Sequence, residues 1–194
     1  MKKIFLNYHF WIFGVLFFAL QSCNTKYRVW VGENNEQKIY NLPYGENKNQ
    51  KMDVFLPANY EKEKPAVIII HGGAWKYGRK EKMIMIQKYL HKKNIPTVNI
   101  NYRLVEKGVT YKKQLEDISA AIIKFNEYAY KTQLPKDQFI ILGESSGAHL
   151  ALLYGYQNPE IISKIISLSA PTDFYSKQFL ETTYSKYALF TIED

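Results

Sequence analysis

Hydrophobic positions along the 194-residue chain switch repeatedly between a period of two and a period near 3.6. Ala66-Val67-Ile68-Ile69-Ile70 is an unbroken, largely β-branched run, the pattern of a strand buried on both faces. Lys51-Met52-Asp53-Val54-Phe55-Leu56 alternates before Pro57, and weaker alternation around Lys38–Leu42 predicts an edge hairpin with it. Glu81 to Lys93 predicts a helix with Ile84, Ile86, Tyr89 and Leu90 available for burial, stopped by Pro96. Thr97 to Tyr102 is the next strand. Tyr111 to Thr132 is the clearest helix, because Leu115, Ile118, Ile122, Phe125 and Ala129 form one apolar stripe. Phe139-Ile140-Ile141-Leu142 reads as a buried strand, Ser146–Tyr156 as a helix and Ile165–Leu168 as a further strand. Strands alternating with helices predict an α/β fold, a doubly wound and mostly parallel sheet. Such sheets bind ligands at the carboxyl ends of their strands.

Composition narrows this picture without redirecting it. Hydrophobic residues at 46% and charged residues at 23% exclude a disordered chain, and the length suits one domain, expected over residues 38–194. The net charge of +8 comes from scattered lysines with no basic, aromatic-interleaved cluster, so no nucleic-acid partner is expected. The N-terminus is different in kind. Met1-Lys2-Lys3 precedes an uncharged run from Phe10 to Leu20, too short for a comfortable membrane span and suited to a signal-peptide core. Leu20-Gln21-Ser22-Cys23 then resembles the bacterial lipoprotein signal, which implies removal of residues 1–22 and lipidation of Cys23. That resemblance predicts a membrane-anchored protein of the bacterial cell envelope, with residues 23–37 as a tether. A cleaved signal or short anchor with an incidental cysteine is the alternative.

The chemistry gathers at Gly143-Glu144-Ser145-Ser146-Gly147, between a strand and a helix. A serine thrust off so sharp a turn sits in strained backbone, and side chains on either flank would clash. The helix N-terminus directs free N–H groups at an oxyanion formed beside the serine. With His71-Gly72-Gly73-Ala74-Trp75 and Asn101-Tyr102-Arg103-Leu104, each after a strand, the chain resembles the α/β-hydrolase superfamily. It is most similar to the esterases and lipases with a His-Gly-Gly oxyanion loop. The resemblance runs from about residue 38 to residue 175 and includes Met52–Pro57 and Ala170-Pro171-Thr172-Asp173.

By position, the resemblance makes Ser145 the nucleophile and the N–H groups of Gly73, Ala74 and Ser146 the oxyanion hole. His71 is expected to orient the loop, and Trp75 either walls the acyl pocket or sits in the core. Glu144 is expected to be structural and Asp117 a surface or helix-pairing carboxylate. The implied activity is hydrolysis of a small ester or acetylated saccharide through an acyl-enzyme, without metal or cofactor. The pattern breaks after the nucleophile. The mechanism needs a base, and an acid to orient it. The only later histidine, His149, is expected to point into the helix packing. His9 lies in the signal, His91 on an earlier helix, and Asp173 one crossover too early. The triad acid and base are therefore expected to be absent from this chain, with the last two strands of the fold missing and the Ile165 strand an open edge. Two rivals stand beside the esterase: a non-catalytic binding protein on the same fold, and a peptidase or amidase of the superfamily.

Overall fold

A computed structural model describes residues 27–129, 134–135 and 137–192. The expected signal segment and Cys23 lie outside the described residues. Seven strands form one sheet: β1 Arg28–Val31, β2 Gln37–Pro43, β3 Lys51–Leu56, β4 Ala66–Ile70, β5 Thr97–Ile100, β6 Phe139–Glu144 and β7 Ile162–Leu168. Their order is β1-β2-β3-β5-β4-β6-β7. The β1–β2, β2–β3 and β3–β5 pairings are antiparallel, whereas β5, β4, β6 and β7 run parallel. The sheet is thus mixed but mostly parallel through the half that carries the motifs.

Helices α1 Ile84–Lys92, α2 Tyr111–Ala129 and α3 Ser146–Gln157 make the crossovers, followed by the short α4 Lys177–Leu180 and α5 Ser185–Ile192. Side-chain parity on β4 divides the core. Ala66, Ile68 and Ile70 pack with Leu115, Ile118 and Phe125 of α2 and Leu150 and Tyr154 of α3. Val67 and Ile69 face the other way, onto Met83, Ile86 and Leu90. This strand is buried along its whole length because both faces are covered. Among the described residues no helix is long and apolar enough to cross a membrane.

Three expectations need correction. Residues 23–37 are not simply a tether, since Arg28–Val31 pair with Gln37–Tyr40 as an edge strand; a four-residue Arg-Val-Trp-Val run is too short to announce itself by alternation. Tyr89 is 61% exposed, and the buried positions of α1 are Gln87 and His91, because their polar ends find partners beneath the sheet. Asp117 is fully buried rather than at the surface. It accepts from the Arg103 backbone N–H (2.7 Å), Arg103 Nε (2.8 Å) and Gln50 Nε2 (2.8 Å), which fixes the segment leaving β5. β7 forms an edge of the described sheet, with Ile166 and Leu168 about two-fifths exposed.

Candidate active site

The elbow is built by removing every Cβ that would stand in its way. β6 ends at Glu144 and α3 begins at Ser146, leaving Ser145 alone to reverse the chain at φ 52°, ψ −122°. A Cβ on Gly143 would lie 2.2 Å from the Gly147 carbonyl oxygen, and one on Gly147 would lie 2.4 Å from that of His71. Neither contact is possible for real atoms, so both outer positions of the motif require glycine. A Cβ on Gly72 would similarly meet the Glu144 carbonyl at 2.7 Å. The elbow and the His71–Trp75 loop therefore touch backbone to backbone. The Ser145 N–H donates to the Leu168 carbonyl (2.8 Å), fastening the turn to the end of β7.

The loop after β4 is strained too. Gly73 has φ 132°, and Ala74 and Trp75 follow at 49° and 60°, in the left-handed region that costs an ordinary residue about 1 kcal/mol or more. This path folds the loop into a tight turn in which the Tyr77 N–H donates to the Gly73 carbonyl (2.7 Å). Among the described residues the N–H groups of Gly73 and Ala74 find no carbonyl acceptor. Ser146, as the first residue of α3, likewise has no helical acceptor for its N–H. Gly73, Ala74, Ser145 and Ser146 all line one cleft of about 520 Å³. The geometry brings the expected nucleophile and all three expected oxyanion donors to a single cavity. Trp75 is buried and also lines the cleft.

Among the described residues no histidine bonds the Ser145 hydroxyl. His71 is buried under the loop, its Nδ1 within 2.8 Å of the Gly72 carbonyl and its ring stacked on Tyr102 at 4.4 Å. His149 turns into the helix packing, where its Nδ1 accepts from Trp75 Nε1 (3.2 Å) between the rings of Trp75 and Phe174. Burial pushes both imidazoles down to about 4, so both are neutral at pH 7. His91 accompanies Glu36 on α1, at 3.2 Å. Asp173 is exposed and accepts from the N–H groups of Tyr175 and Ser176. Glu144 lines the cleft as an exposed carboxylate. Among the described residues no group of three or more His, Cys, Asp or Glu side chains is placed to hold a metal ion.

Two contributors escape sequence reasoning. The Tyr102 hydroxyl donates to the His71 carbonyl (2.9 Å), pinning the root of the loop after β4, and burial raises that phenol above its ordinary value, which keeps it a donor. Its place directly after β5 was the available signal. The far wall of the cleft comes from Ser169, Ala170, Pro171, Phe179, Thr182 and Tyr184, a stretch with no periodic pattern to read.

A strained serine elbow at the carboxyl edge of a mostly parallel sheet, set against the glycine-rich His71–Trp75 loop, defines an α/β hydrolase of the esterase type. The match to known families agrees. Residues 52–187 match the BD-FAE family, and the chain belongs to it. It is 29% identical to a kynurenine formamidase of Salmo salar over 118 residues, 60% of this chain and 38% of that protein. Among solved structures, esterase B from Lactobacillus rhamnosis superposes with a TM-score of 0.65 at 20% identity, covering 93% of this chain and 61% of that one. A truncated form of a carbohydrate esterase from gut microbiota is 27% identical, with a TM-score of 0.51 over 62% of this chain and 44% of that one. The chain thus spans less than two thirds of each of these relatives.

Proposed function

We propose that this chain carries the nucleophile and oxyanion hole of a serine carboxylic-ester hydrolase acting on a small ester or an acetylated saccharide. The observation that carries the reading is Ser145, held in strained backbone and sharing a cleft with Gly73 and Ala74, whose N–H groups have no carbonyl acceptor among the described residues. Ser145 Oγ attacks the ester carbonyl carbon, and the oxyanion is held by the N–H groups of Gly73, Ala74 and Ser146. Collapse expels the alcohol and leaves an acyl-Ser145, which water hydrolyses to the acid. One oxyanion donor of this kind is worth about 2.7–4 kcal/mol in the transition state.

The proton leaving Ser145 needs a base, and among the described residues no histidine is placed to take that role. His149 is occupied by the Trp75 indole and His71 lies beneath the loop. Turnover by residues 1–194 alone should therefore rest on the oxyanion hole and binding, orders of magnitude below a complete triad. The similarity to a formamidase favours a second reading, cleavage of a formamide C–N bond at the same serine. Anchoring to the envelope through a lipid on Cys23 is a further part of the proposal, supported by the Leu20–Cys23 sequence.

Labelling with a fluorophosphonate, read by intact mass, tests the nucleophile: one adduct is expected on the longest available form of the protein and none on its Ser145→Ala variant. Equal labelling of both would sink the assignment. Comparing acetyl esters, acetylated saccharides and N-formyl anilines on the longest available form of the protein separates the ester from the amide reading.

A further inference from the structure

The strained turn that presents the oxyanion donors is held from outside by one side chain that belongs to neither motif. Gln114, in the first turn of α2, is fully buried. Its Nε2 donates to two carbonyls at once, that of Trp75 (2.9 Å) in the oxyanion loop and that of Arg103 (2.9 Å) in the segment after β5. Because both neighbours are acceptors, only the NH₂ end of the amide can face them, and both of its hydrogens are used. The Trp75 carbonyl also takes the Val105 N–H (3.0 Å).

The position of this clamp matters. Ala74 and Trp75 are the two non-glycine residues of the loop at positive φ, and without restraint each would relax toward the ordinary region. Trp75 is restrained at its indole by His149 and at its carbonyl by Gln114 and Val105. Asp117, one turn further along α2, in turn holds Arg103. One helix therefore secures both loops that follow the central strands β4 and β5.

We infer that Gln114 is a positioning residue of the oxyanion hole, fixing the Ala74–Trp75 turn so that the Gly73 and Ala74 N–H groups stay aimed into the Ser145 cleft. It touches no substrate and acts through the loop. The catalytic half of this inference rests on the ester-hydrolase reading; the mechanical half does not.

The test uses the full chain with Gln114→Met, which keeps the length and loses both donors. Hydrogen exchange is expected to quicken on the order of tenfold in the peptide covering residues 72–78, with β4 and β6 unchanged. The rate constant of fluorophosphonate inactivation, kinact, should fall on the order of tenfold while KI stays put. Unchanged loop exchange overturns the inference, and so does loop and sheet exchange rising together, which would mark a merely structural role. Gln114→Glu serves where the Met variant does not fold. Its carboxylate repels both carbonyls, so loop exchange relative to wild type, at matched pH, should be fast above the acid's titration and slower below it; a flat ratio equal to wild type also overturns the inference. If the wild type takes no label at Ser145, the hydrolase reading fails, and loop exchange still decides whether Gln114 holds the turn.

Discussion

Lys80 reaches from just beyond the glycine-rich loop after β4 to Asp53 on β3, and replacing it with methionine gives the sharpest energetic test of the fold. Both side chains are almost completely buried, at 1% and 3% exposure. The ammonium lies 2.9 Å from Asp53 Oδ1, 3.0 Å from Oδ2 and 2.9 Å from Glu81 Oε1. At an effective dielectric of about 20, such a pair attracts by about 6 kcal/mol, most of which offsets the cost of taking two charges out of water. Burial holds the Asp53 carboxyl above its ordinary value even with Lys80 beside it; the Asn41 N–H and Lys80 only partly offset this. Lys80→Met leaves that carboxylate with the Asn41 N–H (2.7 Å) as its remaining strong partner. Breaking a buried pair from one side costs about 3–5 kcal/mol, and that is the loss expected near pH 7.5.

The pH dependence supplies the discriminating result. An acid whose folded value lies above its unfolded value contributes most below the unfolded one, about 3.9, and loses that contribution as pH rises through the folded one. Removing Lys80 raises the folded value further, so the deficit should shrink as pH falls from 7.5 toward 4.5. Urea unfolding followed by far-UV circular dichroism at several pH values measures it. Adding Asp53→Asn to Lys80→Met should recover most of the loss, since the amide oxygen still accepts from Asn41. A deficit under about 1 kcal/mol at pH 7.5, or one indifferent to pH, would refute the buried-charge reasoning.

Three further outcomes follow from single residues. Ser145→Gly should raise stability by about 1 kcal/mol in thermal or urea melts, because glycine accepts φ 52° without strain; a loss would show the elbow to be relaxed. His71 and His149 titrate near 4 when folded and near 6.5 when unfolded, so stability is fully present above that range and falls as pH drops through it. The slope should approach about 1.4 kcal/mol per pH unit for each, and His149→Gln, which can still accept from Trp75, should remove one share; an unchanged slope would refute it. Ile166→Lys on the open strand should reduce light scattering on heating while shifting stability by under about 0.5 kcal/mol, and undiminished aggregation would place the sticky surface elsewhere.

Where local pattern decides structure, the sequence was readable. Lys51–Leu56, Ala66–Ile70 and the α2 stripe of Leu115, Ile118, Ile122, Phe125 and Ala129 form as alternation and helical period dictate. The elbow was legible because its glycines answer a steric demand within five residues. Asp117, Gln114 and Lys80 were not. Each is long or charged and sits in the core only because a partner arrives from a segment distant along the chain, and no periodicity encodes that meeting. α1 rolled for the same reason: Gln87 donates to the Asp53 carbonyl and His91 meets Glu36, so Tyr89 turns outward. The cleft's far wall follows β7 in irregular chain, where neither period applies.

The two walls of that cleft differ in how much change they can absorb. One is backbone set against backbone, where a Cβ added at residue 72, 143 or 147 would fall under 3 Å from a carbonyl oxygen, so almost any enlargement there disturbs β4, β6 and α3 together. The other, from Ser169 to Tyr184, is built of half-exposed side chains outside the sheet. A library of variants confined to Phe179, Thr182 and Tyr184 would explore new acceptor shapes while the machinery opposite stays intact. Selection acting on this scaffold would meet the same division: the backbone wall resists change, and the opposite bank is free to drift.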